Sequence, residues 1–124
     1  MSSFAEKEAV KEVIQDYIDG TYQAEITKLK NVFYERAVMN GFLGPNILLA
    51  DPTPFIEDIA GSPSMESNND PYHAEIINIY IEGNVASAVV SETGFRGEAS
   101  LVDFFHLIKI DGAWKIVSKL FTTL

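Results

Sequence analysis

Two long apolar runs, residues 99–110 and 113–121, are joined by the single dipeptide Asp111-Gly112. Asp-Gly between β-branched and aromatic runs marks a two-residue hairpin, because a type I′ turn needs positive φ at both central residues. Both alternating sets of side chains in these runs are apolar, so neither strand suits a solvated edge. One face must pack on helices and the other on a pocket or a second subunit.

The remaining sequence narrows the class. At 124 residues the chain has room for one core, so a single domain over 1–124 is expected. The net charge of −9 argues against a nucleic-acid surface, which needs clustered Lys and Arg, and against an anionic membrane surface. There are no cysteines, which removes disulfides, thiolate nucleophiles and cysteine-based zinc sites. His73 and His106 are the two histidines, in different elements and with no ligand spacing, so no metal is expected. Gly41-Phe42-Leu43-Gly44-Pro45 lacks the lysine and hydroxyl of a phosphate loop, and no cofactor is expected. The first residues, Met1 to Glu8, carry acids where a signal peptide has basic and apolar regions. No apolar run approaches the roughly 20 residues that span a bilayer. A cytoplasmic location is the expectation.

Ser3-Phe4-Ala5-Glu6 has capping-box spacing, and Val10, Val13, Ile14, Tyr17 and Ile18 form one helical stripe. Gly20 is expected to end that helix. A second helix is predicted over 22–31, then short strands over 37–39 and 45–50. Thr53-Pro54 opens a short helix that stops at Gly61. Residues 62–71 read as a loop without the composition to order itself. Strands over 73–82 and 85–93 precede the long hairpin. Helices first, then a meander of long strands, is the α+β class.

Four segments carry a family likeness: Tyr17-Ile18-Asp19-Gly20-Thr21-Tyr22, Val32-Phe33-Tyr34-Glu35-Arg36-Ala37, Ala74-Glu75-Ile76-Ile77-Asn78-Ile79, and the hairpin from Asp103 to Phe121. Together they resemble the nuclear transport factor 2-like superfamily, and within it the group named "putative lumazine-binding". The resemblance implies a cone-shaped roll of a curved antiparallel sheet wrapped around a long N-terminal helix, with two further short helices. Enzymes of this superfamily look like ketosteroid isomerases, dehydratases and polyketide cyclases. The isomerase pattern needs a carboxylate base near Asn40 or Gly41, and neither of these takes a proton. Relatives commonly place histidine and proline where this chain has Tyr34 and Glu35.

The candidate lining of the cone is Tyr17, Phe33, Tyr34, Met39, Phe55, Phe104, His106 and Trp114. Either Phe104 or Phe105 faces inward, because a one-residue bulge reverses a strand. Tyr17, His106 and Asp103 are candidate catalytic groups, although Asp103 and His106 lie three apart and point to opposite faces of a regular strand. Glu92 is a further acid on an inner strand. The function expected is an apolar cone pocket holding an aromatic or polycyclic metabolite without catalysis. The alternative is an isomerase, dehydratase or cyclase using Tyr17 and His106. A homodimer through the outer sheet face is expected, since Trp114, Ile116 and Leu120 form one apolar set and Val117 and Phe121 another, interrupted by Lys115 and Lys119.

Overall fold

In the computed structural model, which describes residues 3–124, the Asp111-Gly112 turn has φ of 51° and 81°. Those positive angles are the ones a type I′ hairpin requires. The turn joins β5 (Ala99–Ile110) to β6 (Ala113–Thr123). Before them come α1 (Ser3–Gln23), α2 (Ile26–Val32), β1 (Phe33–Leu43), β2 (Asn46–Ala50), α3 (Thr53–Ala60), β3 (His73–Glu82) and β4 (Val85–Phe95). The six strands form one curved sheet in the order β2-β1-β6-β5-β4-β3. The helices cover its inner face, giving the α+β cone.

The sheet is mixed, which corrects the antiparallel expectation. β1 runs parallel to β6, with Asn40 beside Leu120 and Gly41 beside Phe121. Local patterning gives a strand's faces but not its direction, and here the helices and intervening strands return the chain to β1's flank in the same sense.

The stripe of α1 is buried at Val10, Ile14, Tyr17 and Ile18. Gly20 does not end the helix, which continues to Gln23. A Cβ on Gly20 would meet Leu29 Cγ at 3.0 Å, so this glycine lets α2 approach α1. Ala24 takes the left-handed turn instead, at φ 57°, and the Glu25 N–H donates to the Gly20 carbonyl at 3.0 Å. The loop over 62–71 is also better organised than its composition suggests. Met65 is buried and gives it an apolar anchor. The Asp70 N–H donates to the Met65 carbonyl at 2.9 Å, and the Glu66 N–H donates to Tyr22 on α1 at 3.1 Å.

The most consequential irregularity lies in β6. His106 pairs with Ser118 and Leu107 with Ile116, leaving Val117 as an extra residue. Such a bulge reverses the alternation beyond it. Trp114 and Ile116 face inward before it, Lys119 and Phe121 face inward after it, and Leu120 faces out. The apolar sets predicted from strict alternation are therefore mixed, and Lys119 lies inside rather than on the outer face.

Gly41 marks the closest approach of β1 to β6. A Cβ there would sit 2.1 Å from the Phe121 carbonyl oxygen and 2.7 Å from its ring, both impossible without moving backbone. Gly41→Ala is expected to cost about 2 kcal/mol or more, read as a lower urea midpoint with the m-value unchanged. An unaltered midpoint would contradict this packing.

Candidate functional site

The inner faces of three adjacent strands place Glu92 (β4), Asp103 (β5) and Lys119 (β6) along one diagonal. Asp103 lies opposite Val90 and Phe121, and Lys119 lies opposite Phe105, so each polar residue is two positions from its neighbour's direct partner. Diagonal neighbours on one face remain within reach of long side chains. Tyr17 comes down from α1, and Tyr72 stands just before β3. All four of Tyr17, Glu92, Asp103 and Lys119 are at most 4% exposed.

Their contacts form a chain. The Lys119 Nζ donates to the Tyr17 hydroxyl at 2.5 Å and lies 3.7 Å from Asp103 Oδ1. The Tyr72 hydroxyl donates to Glu92 Oε1 at 2.6 Å, and Asp103 lies close enough for its charge to act on the Glu92 carboxyl group. Among the described residues, no N–H or hydroxyl group hydrogen-bonds to either Asp103 oxygen. Three rings surround the ammonium, with centroids at 4.4 Å for Phe55, 5.0 Å for Tyr17 and 5.2 Å for Phe121. Each ring face attracts a cation.

Burial raises every acid here whose titration is displaced. Glu92 is pushed up to about 8, first by loss of solvent and then by the neighbouring Asp103 charge. Tyr17 is raised well above its ordinary range by burial and then by Asp103. Tyr72 is raised by burial and then by Glu92. At neutral pH Glu92 is therefore a neutral carboxylic acid.

This cluster forms the polar corner of a cavity of about 170 Å³ whose other walls are mostly apolar. Met39, Leu48, Phe55, Leu101 and Phe121 supply much of that wall, and Tyr17, Glu92 and Lys119 also line it. Asp51 and Asp58 stand at the rim, and Arg96 bridges to Asp58 at 3.0 Å.

Of the residues singled out from sequence, Tyr17, Met39 and Phe55 line this cavity. Phe33 packs edge-on against Tyr17, with centroids 6.2 Å apart, in the layer behind the wall. Trp114 is buried in the main core, and Tyr34 is half-buried in β1; neither reaches the cavity. Phe104 is exposed on the outer face while Phe105 is buried under Tyr17, 4.9 Å between centroids. His106 also faces out, into a groove shared with Tyr80, Glu82 and Val117. Tyr17 and His106 are therefore on opposite sides of the sheet and do not form a pair. Asp103 points inward, behind Lys119 and Glu92. Lys119 and Tyr72 escaped the sequence reading. A lysine in a strand reads as solvated unless the bulge at Val117 is known, and Tyr72 borders a loop.

A sequence profile described as "Putative lumazine-binding" matches residues 5–122. The chain belongs to that family. Among solved structures, it is similar to a nuclear transport factor 2-like protein of unknown function from Shewanella baltica OS155, at 26% identity and a TM-score of 0.87. That match covers 100% of this chain and 98% of the other. A second protein of that type, from Methylobacillus flagellatus KT, is 23% identical with a TM-score of 0.87, covering 99% and 95%. A "putative dehydratase from the NTF2-like family" of Streptomyces avermitilis shares the fold at 11% identity and a TM-score of 0.71, with 99% of each chain covered. No curated protein matches the chain. The family places the chain in the nuclear transport factor 2-like superfamily, as the four sequence segments imply.

The displaced acid makes a signed prediction. Glu92 holds its proton in the folded protein up to about pH 8, whereas the unfolded chain releases it near the ordinary carboxyl range. This contribution is fully present below that range and is lost as pH rises to about 8, by up to ~1.4 kcal/mol per unit. Glu92→Gln should flatten that fall in urea titrations between pH 5 and 8. A wild-type curve with no Glu92-dependent slope would contradict the assignment.

Proposed function

We propose that this protein binds a small ring-bearing molecule in the cavity, its apolar body against Met39, Leu48 and Phe121 and an oxygen acceptor turned toward Lys119. The supporting observation is an apolar chamber with its polar groups gathered at one corner, the usual arrangement of a small-molecule site. The family description speaks of binding and agrees in kind. Size favours a single ring over the polycyclic ligand expected from sequence. The volume of about 170 Å³ falls below the ~300 Å³ at which drug-sized pockets begin, and close to the ~150 Å³ cavity known to take benzene. The alternative reading, acid–base catalysis by Tyr17 and His106, is not favoured, because His106 faces the other side of the sheet.

The chamber explains one face of the sheet, and a homodimer is proposed for the other. Cross-strand partners on that face run Leu49, Asn40, Leu120, Phe104 and Val89 across five strands. Phe104 is 47% exposed and Leu120 is 53% exposed. A row of apolar side chains broken only by Asn40 favours an interaction surface here. A second copy of the same face would cover it about a two-fold axis.

Benzamide, one ring with a carbonyl acceptor, should raise the melting temperature saturably, corresponding to about 2.7 kcal/mol at a hundredfold excess over Kd. Leu48→Trp, which fills the chamber, should abolish the shift. Tyr17→Phe should weaken binding by about 1 kcal/mol, and His106→Ala should leave it intact. A shift that survives Leu48→Trp would place the ligand elsewhere. For the dimer, light scattering should give twice the chain mass for the wild type and one chain mass for Phe104→Glu. A monomeric wild type would end that reading.

A further inference from the structure

We propose that Lys119 is a nucleophile that condenses with a small aldehyde or ketone seated in the cavity, forming an imine through its Nζ. This rests on the cavity being the ligand site and adds the class of ligand and the bond it makes. A lysine amine is a strong nucleophile once its proton is removed. Lys119 Nζ is the amine presented to the chamber, and its neighbours supply the groups that imine formation needs.

The first requirement is a proton acceptor. Asp103 Oδ1 is 3.7 Å from Nζ, and its oxygens accept no hydrogen bond from an N–H or hydroxyl group of the described residues. Passing a proton from Lys119 to Asp103 replaces two buried charges with two neutral groups and removes the desolvation cost of both. The second requirement is orientation. The Tyr17 hydroxyl, 2.5 Å from Nζ, fixes the amine in a wall that both residues share. The third is an acid for the departing oxygen, and Glu92 lines the same chamber in protonated form at neutral pH.

The step balances within this set. Lys119 gives one proton to Asp103, and the freed lone pair attacks the carbonyl carbon. A C–N bond forms as the C–O π pair moves to oxygen. That oxygen receives the proton leaving nitrogen by way of the Tyr17 hydroxyl, giving a neutral carbinolamine. Glu92 then protonates the hydroxyl, the C–O bond breaks, water leaves, and the nitrogen lone pair completes the C=N bond. The product iminium carries the positive charge that Lys119 began with. The Glu92–Asp103 pair ends with the single proton it held at the start. The buried site therefore keeps its net charge throughout, a condition that few arrangements of one amine and two acids meet in a dry pocket. Asp51 and Asp58 at the rim are consistent with a neutral carbonyl ligand rather than an anion, which they would repel.

The test is reductive trapping on the intact wild-type protein at pH 7 with benzaldehyde and sodium cyanoborohydride, followed by peptide mass mapping. Lys119 should acquire the reduced benzyl group at least about tenfold faster than the other lysines, reflecting carbonyl held beside the amine. Leu48→Trp should protect it, and Lys119→Arg, which keeps the charge but lacks a primary amine, should abolish the preferential adduct. Because the main readout is made on the wild type, it does not depend on how well either variant folds. Labelling confined to surface lysines overturns the proposal. Benzamide separates the two readings, since it fills the chamber but cannot condense. A benzamide-induced rise in melting temperature without a Lys119 adduct leaves binding standing and eliminates the imine. Absence of both effects eliminates both.

Discussion

The extra residue at Val117 turns Lys119 away from solvent, and a cation in that position must be neutralised for the sheet to close over it. Asp103 supplies the opposite charge from the next strand, and three aromatic rings supply their negative faces. Tyr17 fixes the ammonium by a hydrogen bond from the helix that the sheet encloses. Helix, hairpin and α3 therefore meet at one nitrogen. Breaking such a buried pair from one side typically costs about 3–5 kcal/mol, because the remaining charge is left unmatched. The pair's own net contribution is smaller, since both ions were first removed from water.

Glu92 shows how the site limits that cost. Two carboxylates beside one ammonium would leave an uncompensated negative charge in a low-dielectric interior. Glu92 remains protonated at neutral pH instead, beside Asp103 and accepting from the Tyr72 hydroxyl. The result is electrically neutral but rich in protons that can move. Main-core packing lies mostly below this level, around Val10, Ile14, Phe105, Leu107 and Ile116. The cavity occupies the part of the cone where Met39, Leu101 and Phe121 form a smaller cluster of their own. Fold stability and the chamber thus draw on neighbouring sets of apolar side chains that meet at Tyr17 and Phe55.

Much of the fold was legible because it rests on local rules. The α1 stripe, the Asp111-Gly112 turn and the long strand periods each follow from a few adjacent residues. The departures arise where distant parts of the chain decide the outcome. Gly20 resembled a helix stop, yet Leu29 of α2 packs against it. The direction of β1 depended on β6, and the loop over 62–71 depended on one buried methionine. The site was only partly legible for the same reason. Tyr17, Met39 and Phe55 lay on recognisable apolar stripes, whereas alternation put Asp103 and His106 on opposite faces without deciding which faced inward. His106 and Phe104 took the opposite face, and Lys119 was hidden by a bulge whose position no short window of sequence reveals.

The hydrogen bond between Tyr17 and Lys119 joins residues 102 positions apart, and this separation bears on when the site comes into being. α1 and α2 can form from local contacts, and the β5–β6 hairpin needs only its own turn. The lysine cage requires both, together with the parallel β1–β6 pairing that closes the loop between them. Long loop closures are entropically expensive and slow, so contacts of this range dominate the time a chain needs to fold. The chamber accordingly exists only where those long-range pairings are made, and the Tyr17–Lys119 contact is a local sign that both ends of the chain are in place.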